Sequence, residues 1–504
     1  MDAWKEASNS TSPSIIVIPR GTWSLSQVKL IGNKAPLELQ VQGTVQTNPK
    51  TCQLPNKDGE WITINYVNYF TLCGGGVFDG QGQEAWKQND CHKNRNCAKL
   101  PMNLSFNFIN NSIIRDVTTK DSKNFHGPVT YDITKYGAKP GADISQALMD
   151  AWKEASNSTS PSIIVIPRGT WSLSQVKLTG NKAPLELQVQ GTVQANPNPN
   201  QLPNKEGEWI TINYVNYFTL SGGGVFDGQG QEAWKQNDCH KNRNCAKLPM
   251  NLSFNFINNS IIRDVTTKDS KNFHVNCISS HNVTFLRFTI SAPGDSPNTD
   301  GIHLGRDTMI HITDSVIKTG DDCVSIGDET KEVHIQNVTC GPGHGISVGS
   351  LGGYASEKDV QGIYVKNCTF IGTQNGVRVK TWPSAPAQLT VSDLHFEDLI
   401  MDNVSSPVII DQEYCPHNLC KKDRPSSIKI TNVSIKNVRG TTNSAEAMTL
   451  ICSGLKPCEN VEVGDIDLTY NGNQGPITTR CSNVKPKFVG KQNPPVCATT
   501  VKSA

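Results

Sequence analysis

Two adjacent aspartates, Asp321 and Asp322, stand in the segment TGDDCVSIG (319–327). Neighbouring carboxylates repel, so one of the two is expected to hold a proton above its usual range. A shared proton of that kind suits a general acid beside a general base. An isolated Asp-Asp is most often a solvated turn. Three further segments argue for more: SPNTDGIHLG (296–305) with Asp300, GPGHGISVGSLG (341–352) with His344, and GVRVKTWP (376–383) with Arg378 and Lys380. In VRVK, strand alternation sends Val377 and Val379 one way and Arg378 and Lys380 the other. Two fixed cations on an outer face read as a carboxylate-binding pair. Asp300, Asp322 and His344 share parity with the apolar Ile302, Val324 and Ile346. They reach a cleft only if the backbone bends before the strand, which Gly301, Gly320 and Gly345 permit.

The elements that position these residues are short strand-like runs. From Ile261 onward come IIRDVTT, HNVTFLRFTI, MIHITDSVIK, VHIQNVTC, IYVKNCTF, LTVSDLHF, IKITNVSIKNV and VEVGDIDLTY. Most alternate apolar with polar and are β-branched. Turn residues Asp314, Asn337, Asn367 and Asp393 recur at about 23 to 30 residues, a period of stacked supersecondary units. Hairpin signals are scarce, so stacked coils of a parallel β-helix explain the pattern better than a sandwich. Parallel stacking then brings the four segments about 5 Å apart on successive coils. The Gly-rich GGGVFDG (74–80 and 222–228) matches no nucleotide-binding loop and reads as a β-helix turn.

The chain contains a near-verbatim duplication. Residues 1–126 align without gaps on 149–274 and differ at seven positions: 31, 47, 50, 51, 52, 58 and 73. Only the second copy has a preamble, GPVTYDITKYGAKPGADISQAL (127–148). There Val129, Tyr131 and Ile133 alternate as a strand, and Asp143 can cap a helix burying Ile144, Ala147, Leu148, Ala151, Trp152 and Ala155. That helix would close the open N-terminal edge of the solenoid. The first copy starts inside it, lacks Ile144, Leu148 and the cap, and holds none of the four segments. The organisation expected is therefore 1–126, a partial duplicate without chemistry, and 127–504, a complete β-helix domain. The first copy is expected to be the less stable, with Cys52 and Cys73 unmatched in the second.

Composition narrows the partners. The net charge is +2, which gives no basic field for nucleic acid. No apolar run reaches the roughly 20 residues of a membrane span. Of 16 cysteines, several are close pairs: Cys91 with Cys97, Cys239 with Cys245, Cys415 with Cys420, Cys452 with Cys458. Their spacing does not suit zinc, and small-loop disulfides in an oxidising compartment fit better. Sequons at Asn282, Asn337 and Asn432 agree with that, although Asp2, Lys5 and Glu6 stand where a signal peptide would be apolar.

Together the four segments, with YDITKYGA, GGGVFDGQG, LPMNL and DQEYC (411–415), resemble the polygalacturonases of glycoside hydrolase family 28. The resemblance runs from Gly127 to about Cys497, and its phrasing is similar to plant, pollen-type exopolygalacturonases. It implies a right-handed parallel β-helix, all-β but for the short capping helix. It also implies hydrolysis of α-1,4-linked galacturonate with inversion, without metal or cofactor, by a secreted monomer of the cell wall. By that resemblance Asp321 is the general acid, Asp300 and Asp322 activate water, and His344 supports the acid. Arg378, Lys380 and Tyr414 bind substrate. Cys323 pairs with Cys340; Cys415–Cys420, Cys452–Cys458 and Cys481–Cys497 are further candidates. An endo-acting enzyme, a calcium-dependent pectate lyase and a catalytically inactive pectin-binding solenoid are the alternatives.

Overall fold

The structure is a computed structural model that describes residues 2–47, 59–83, 101–107, 109, 112–121, 129–198, 207–236 and 248–497. The cysteine pairs 91/97 and 239/245, and Cys52, lie outside them. The chain divides into two compact units, 1–127 and 128–504.

In the second unit every strand pairs in parallel. A 20-stranded sheet and an 11-stranded sheet run the length of the solenoid. The strands follow the alternation of the sequence: in Ser162–Ile166 and Leu185–Val189 every second residue is buried and the next half-buried. Inward residues from all coils form one continuous apolar core from Ile133 to Leu468. The helix Ser145–Asn157 buries Ala147, Leu148, Ala151, Trp152 and Ala155. Asp143 accepts the Ser145 amide at 2.9 Å, satisfying one of the free N–H groups of the first turn. The strand Val129–Asp132 pairs with Ser162–Ile166 and occupies the first edge of the large sheet.

The Asn and Asp residues at the corners of the coils share one backbone conformation. Asp314, Asn337, Asn367 and Asp393 all have positive φ, between 52° and 58°, a region Asn and Asp tolerate. The register assigns them differently from the simple spacing. Gln336 pairs with Lys366 and Lys366 with Glu397, so the residue stacked on Asn367 is Asp398, and Asp393 belongs to a separate column. The sequon residues Asn282, Asn337 and Asn432 also have positive φ and donate to Asn259, Asp314 and Asp393. No helix among the described residues is long and apolar enough to cross a membrane.

The first unit folds the same residues into three shorter parallel sheets of four, four and three strands. Its helix, Asp2–Asn9, buries Trp4 alone. Among the described residues the strand Ser14–Ile18 ends its sheet, whereas its twin is covered by Val129–Asp132. A cavity of about 540 Å³ opens there, lined by Ala3, Glu6, Ala7, Ser10 and residues 14–17. The consequence reaches the core: Trp23 is 46 % exposed, while the identical Trp171 is 1 % exposed. Cys73 is buried as a free thiol and donates to Glu38.

Candidate active site

Four neighbouring strands of the 11-stranded sheet carry the site: Ile302–Gly305, Val324–Ile326, Ile346–Leu351 and Asn375–Thr381. Their register places Ile302, Val324, Ile346 and Val377 side by side in the core. Asp300, Asp322 and His344 each lie two residues before their strand begins, so they follow the turn and not the strand's alternation. The glycines allow this in two ways. Gly345 has φ +86°, where side chains are strained. Gly301 and Gly320 have ordinary backbone angles, but a Cβ there would meet Cys323 O at 2.3 Å and Ser296 O at 1.9 Å. Close backbone packing, not a bend, demands glycine at those two positions.

All six polar residues singled out on these coils converge. Lys380 Nζ is 2.8 Å from Asp322 Oδ2, and Arg378 Nη2 is 2.9 Å from Asp322 Oδ1. His344 Nδ1 is 3.0 Å from Asp321 Oδ1. The backbone fixes that pair as well: the His344 amide donates to Asp321 O at 2.7 Å, and Asn375 Nδ2 donates to His344 O at 2.9 Å. Polar atoms of Asp321, Asp322 and His344 lie within 4.8 Å of one another. Both oxygens of Asp322 are already taken by side-chain cations, so the cluster is built around fixed charges. Arg378 and Lys380 point outward as the alternation implies, yet they are not a solvated face: their side chains are 12 % and 9 % exposed.

Tyr414 closes one side. Its ring centroid lies 5.4 Å from Lys380 Nζ, 5.8 Å from Arg378 Cζ and 5.2 Å from the ring of Trp382. A half-exposed aromatic over two cations offers a sugar an apolar surface beside carboxylate-binding charge.

The electrostatics amend one expectation. Burial tends to raise Asp321, but the hydrogen bond and charge of His344, the Asp322 amide and Lys380 outweigh it and hold the carboxyl below its ordinary range. The raised carboxyl is Asp300. Burial first, then the negative charges of Asp321 and Asp322, push it well up, with Ser325 and Lys380 opposing. Of the three carboxyls Asp300 is thus the one whose protonated form is favoured, while Asp321 is held by its hydrogen bond with His344.

Among the described residues four disulfides join Cys323–Cys340, Cys415–Cys420, Cys452–Cys458 and Cys481–Cys497. The first ties the segment holding Asp321 and Asp322 to the turn before His344. Sequence reading passed over Ser325, Ser347, Trp382 and Asn375. Their signal was available in the register, since aligning Ile346 with Val377 sets Ser347 beside Arg378.

The model of glycosyl hydrolases family 28 matches residues 8–135 and 156–494. Among curated proteins, a polygalacturonase of Nicotiana tabacum is 56 % identical over 375 residues, covering 74 % of this chain and 93 % of that one. An exopolygalacturonase of Oenothera organensis is 53 % identical over 365 residues, 72 % of this chain and all of the relative. Among solved structures, endo-xylogalacturonan hydrolase from Aspergillus tubingensis superposes with TM-score 0.62 at 24 % identity, covering 71 % of this chain and 96 % of the other. At that identity the likeness speaks for the fold, a right-handed parallel β-helix.

Proposed function

Because the chain belongs to glycosyl hydrolases family 28, we propose that it hydrolyses the α-1,4 bonds of polygalacturonate, taking galacturonate from a chain end. The observation that carries this reading is the juxtaposition of a hydrogen-bonded pair, Asp321 and His344, with a carboxylate, Asp322, pinned between two cations. Relatives named exopolygalacturonase at up to 53 % identity favour action from the end.

In this reading Asp321 donates to the glycosidic oxygen. A bound sugar removes water from Asp321, and burial then raises its carboxyl toward the protonated form. His344 supplies the proton held along the pair. Asp300 and Asp322 hold the attacking water, and Asp322 takes its proton. Lys380 and Arg378 face the galacturonate carboxylates, and Tyr414 covers the ring. Every role is filled by this chain's own side chains. Secretion to the cell wall agrees with the four disulfides, and the second unit supplies the whole site.

Inversion follows from water attacking the face opposite the leaving oxygen. Proton NMR during turnover tests it: the β-anomer of galacturonate should appear first, and an α-anomer first would refute the scheme.

A further inference from the structure

His303, Ser325, Ser347 and Arg378 form one column across the site strands, each paired in register with the next. Ser347 is fully buried within it. Its hydroxyl donates to Asp322 Oδ1 at 2.7 Å and accepts from Arg378 Nε at 3.2 Å. Arg378 Nη2 closes the triangle on the same carboxylate oxygen at 2.9 Å. Lys380 holds the other oxygen.

We propose that Ser347 is a positioning residue of the hydrolysis, locking Asp322 and Arg378 into one unit so that the carboxylate keeps a single orientation toward the attacking water. This rests on the reading of Asp322 given above. With one donor and one acceptor engaged, the hydroxyl matches its two neighbours. An alanine would leave Arg378 Nε without that acceptor in a nearly dry place and would strip Asp322 Oδ1 of one donor. The carboxylate could then turn, and its ionised form would be left with one hydrogen bond fewer. The groups facing Asp322 are Arg378 and Lys380 from one strand, Asp300 and His303 from another, and Asp321 and His344 at its edge. None of them replaces the lost donor at Oδ1 without moving.

The test is a pH–rate profile on polygalacturonate for the wild type, Ser347→Ala and Ser347→Cys. Ser347→Ala should lose about ten- to a hundredfold in kcat, with a smaller change in KM. Its acid limb should move to higher pH, because the base now needs a higher pH to ionise. Ser347→Cys, a weaker donor, should fall between. A Ser347→Ala enzyme with wild-type kcat and acid limb overturns the proposal. So does one that loses activity and melting temperature together while its acid limb stays in place. A wild type without hydrolysis would instead refute the enzymatic reading and take this proposal with it.

Discussion

Lys380 Nζ rests 2.8 Å from Oδ2 of Asp322, 58 residues earlier in the chain, and neither side chain is more than a tenth exposed. The cation expected to meet substrate thus already serves a buried carboxylate. Lys380→Ala should therefore weaken binding and also destabilise the fold, by about 3 kcal/mol, because it leaves a buried charge short of its partner. Denaturant unfolding should show Lys380→Ala/Asp322→Asn more stable than Lys380→Ala. Equal stabilities would mean that the pair is not coupled.

Asp321→Asn should lower kcat by roughly a thousandfold or more, as removal of a general acid does, while trigalacturonate still binds with a near wild-type Kd. Asparagine keeps the size of the side chain and an acceptor for His344. Turnover within a few fold of wild type in a reducing-sugar assay would remove Asp321 from the acid's role.

Stability should form a plateau between about pH 4 and 6.5 and fall above it. Asp307 is pushed up to about 8, chiefly by burial, and Asp300 also lies well above its ordinary value. These raised carboxyls contribute stability below about pH 3.9, and that contribution is lost as pH rises through their folded values. His274 and His303 are driven down by burial to about 3 and about 4. Their contribution is present above about pH 6.5 and lost as pH falls. Between those limits the two pairs oppose each other. From about pH 6.5 to 8 the raised aspartates act without opposition from these histidines. Calorimetric melts should show Tm declining from pH 6.5 to 8, less so in Asp307→Asn. A Tm rising over that interval would contradict the assignment.

The Cys323–Cys340 bridge closes a 17-residue separation, worth roughly 3 kcal/mol by loop entropy. It also braces the two segments that bring Asp321 to His344. Cys323→Ser/Cys340→Ser should lose activity well below its own melting temperature. Cys415→Ser/Cys420→Ser, with a five-residue separation, should lose less stability. Full activity in the first variant under native conditions would show that the bridge plays no part in the site.

Most of the solenoid was legible because its strands obey a period of two. Val377 and Val379 inward, Arg378 and Lys380 outward, are found as the alternation implies. What alternation could not give was depth: nothing in VRVK says that the two cations are almost covered. Nor could it place Asp300, Asp322 and His344, which precede their strands and obey turn backbone. Unequal coil lengths hid the column partner of Asn367, which is Asp398 where equal spacing pointed to Asp393. Ser347 escaped because a small hydroxyl inside a strand carries no signal until the register sets it beside Arg378. The duplication shows the converse. Trp23 and Trp171 share an identical sequence context, residues 1–30 matching 149–178, yet one is open and the other buried. The difference lies in residues 129–148, outside both copies.

The most direct measurement resolves the products of polygalacturonate digestion by this chain at acidic pH, alongside Asp321→Asn. Galacturonate monomer from the first time point, without ultraviolet-absorbing unsaturated ends and absent in the variant, is the expected result. Larger oligomers released first would mean endo action. Unsaturated products, or binding without any new reducing ends, would contradict the account as a whole.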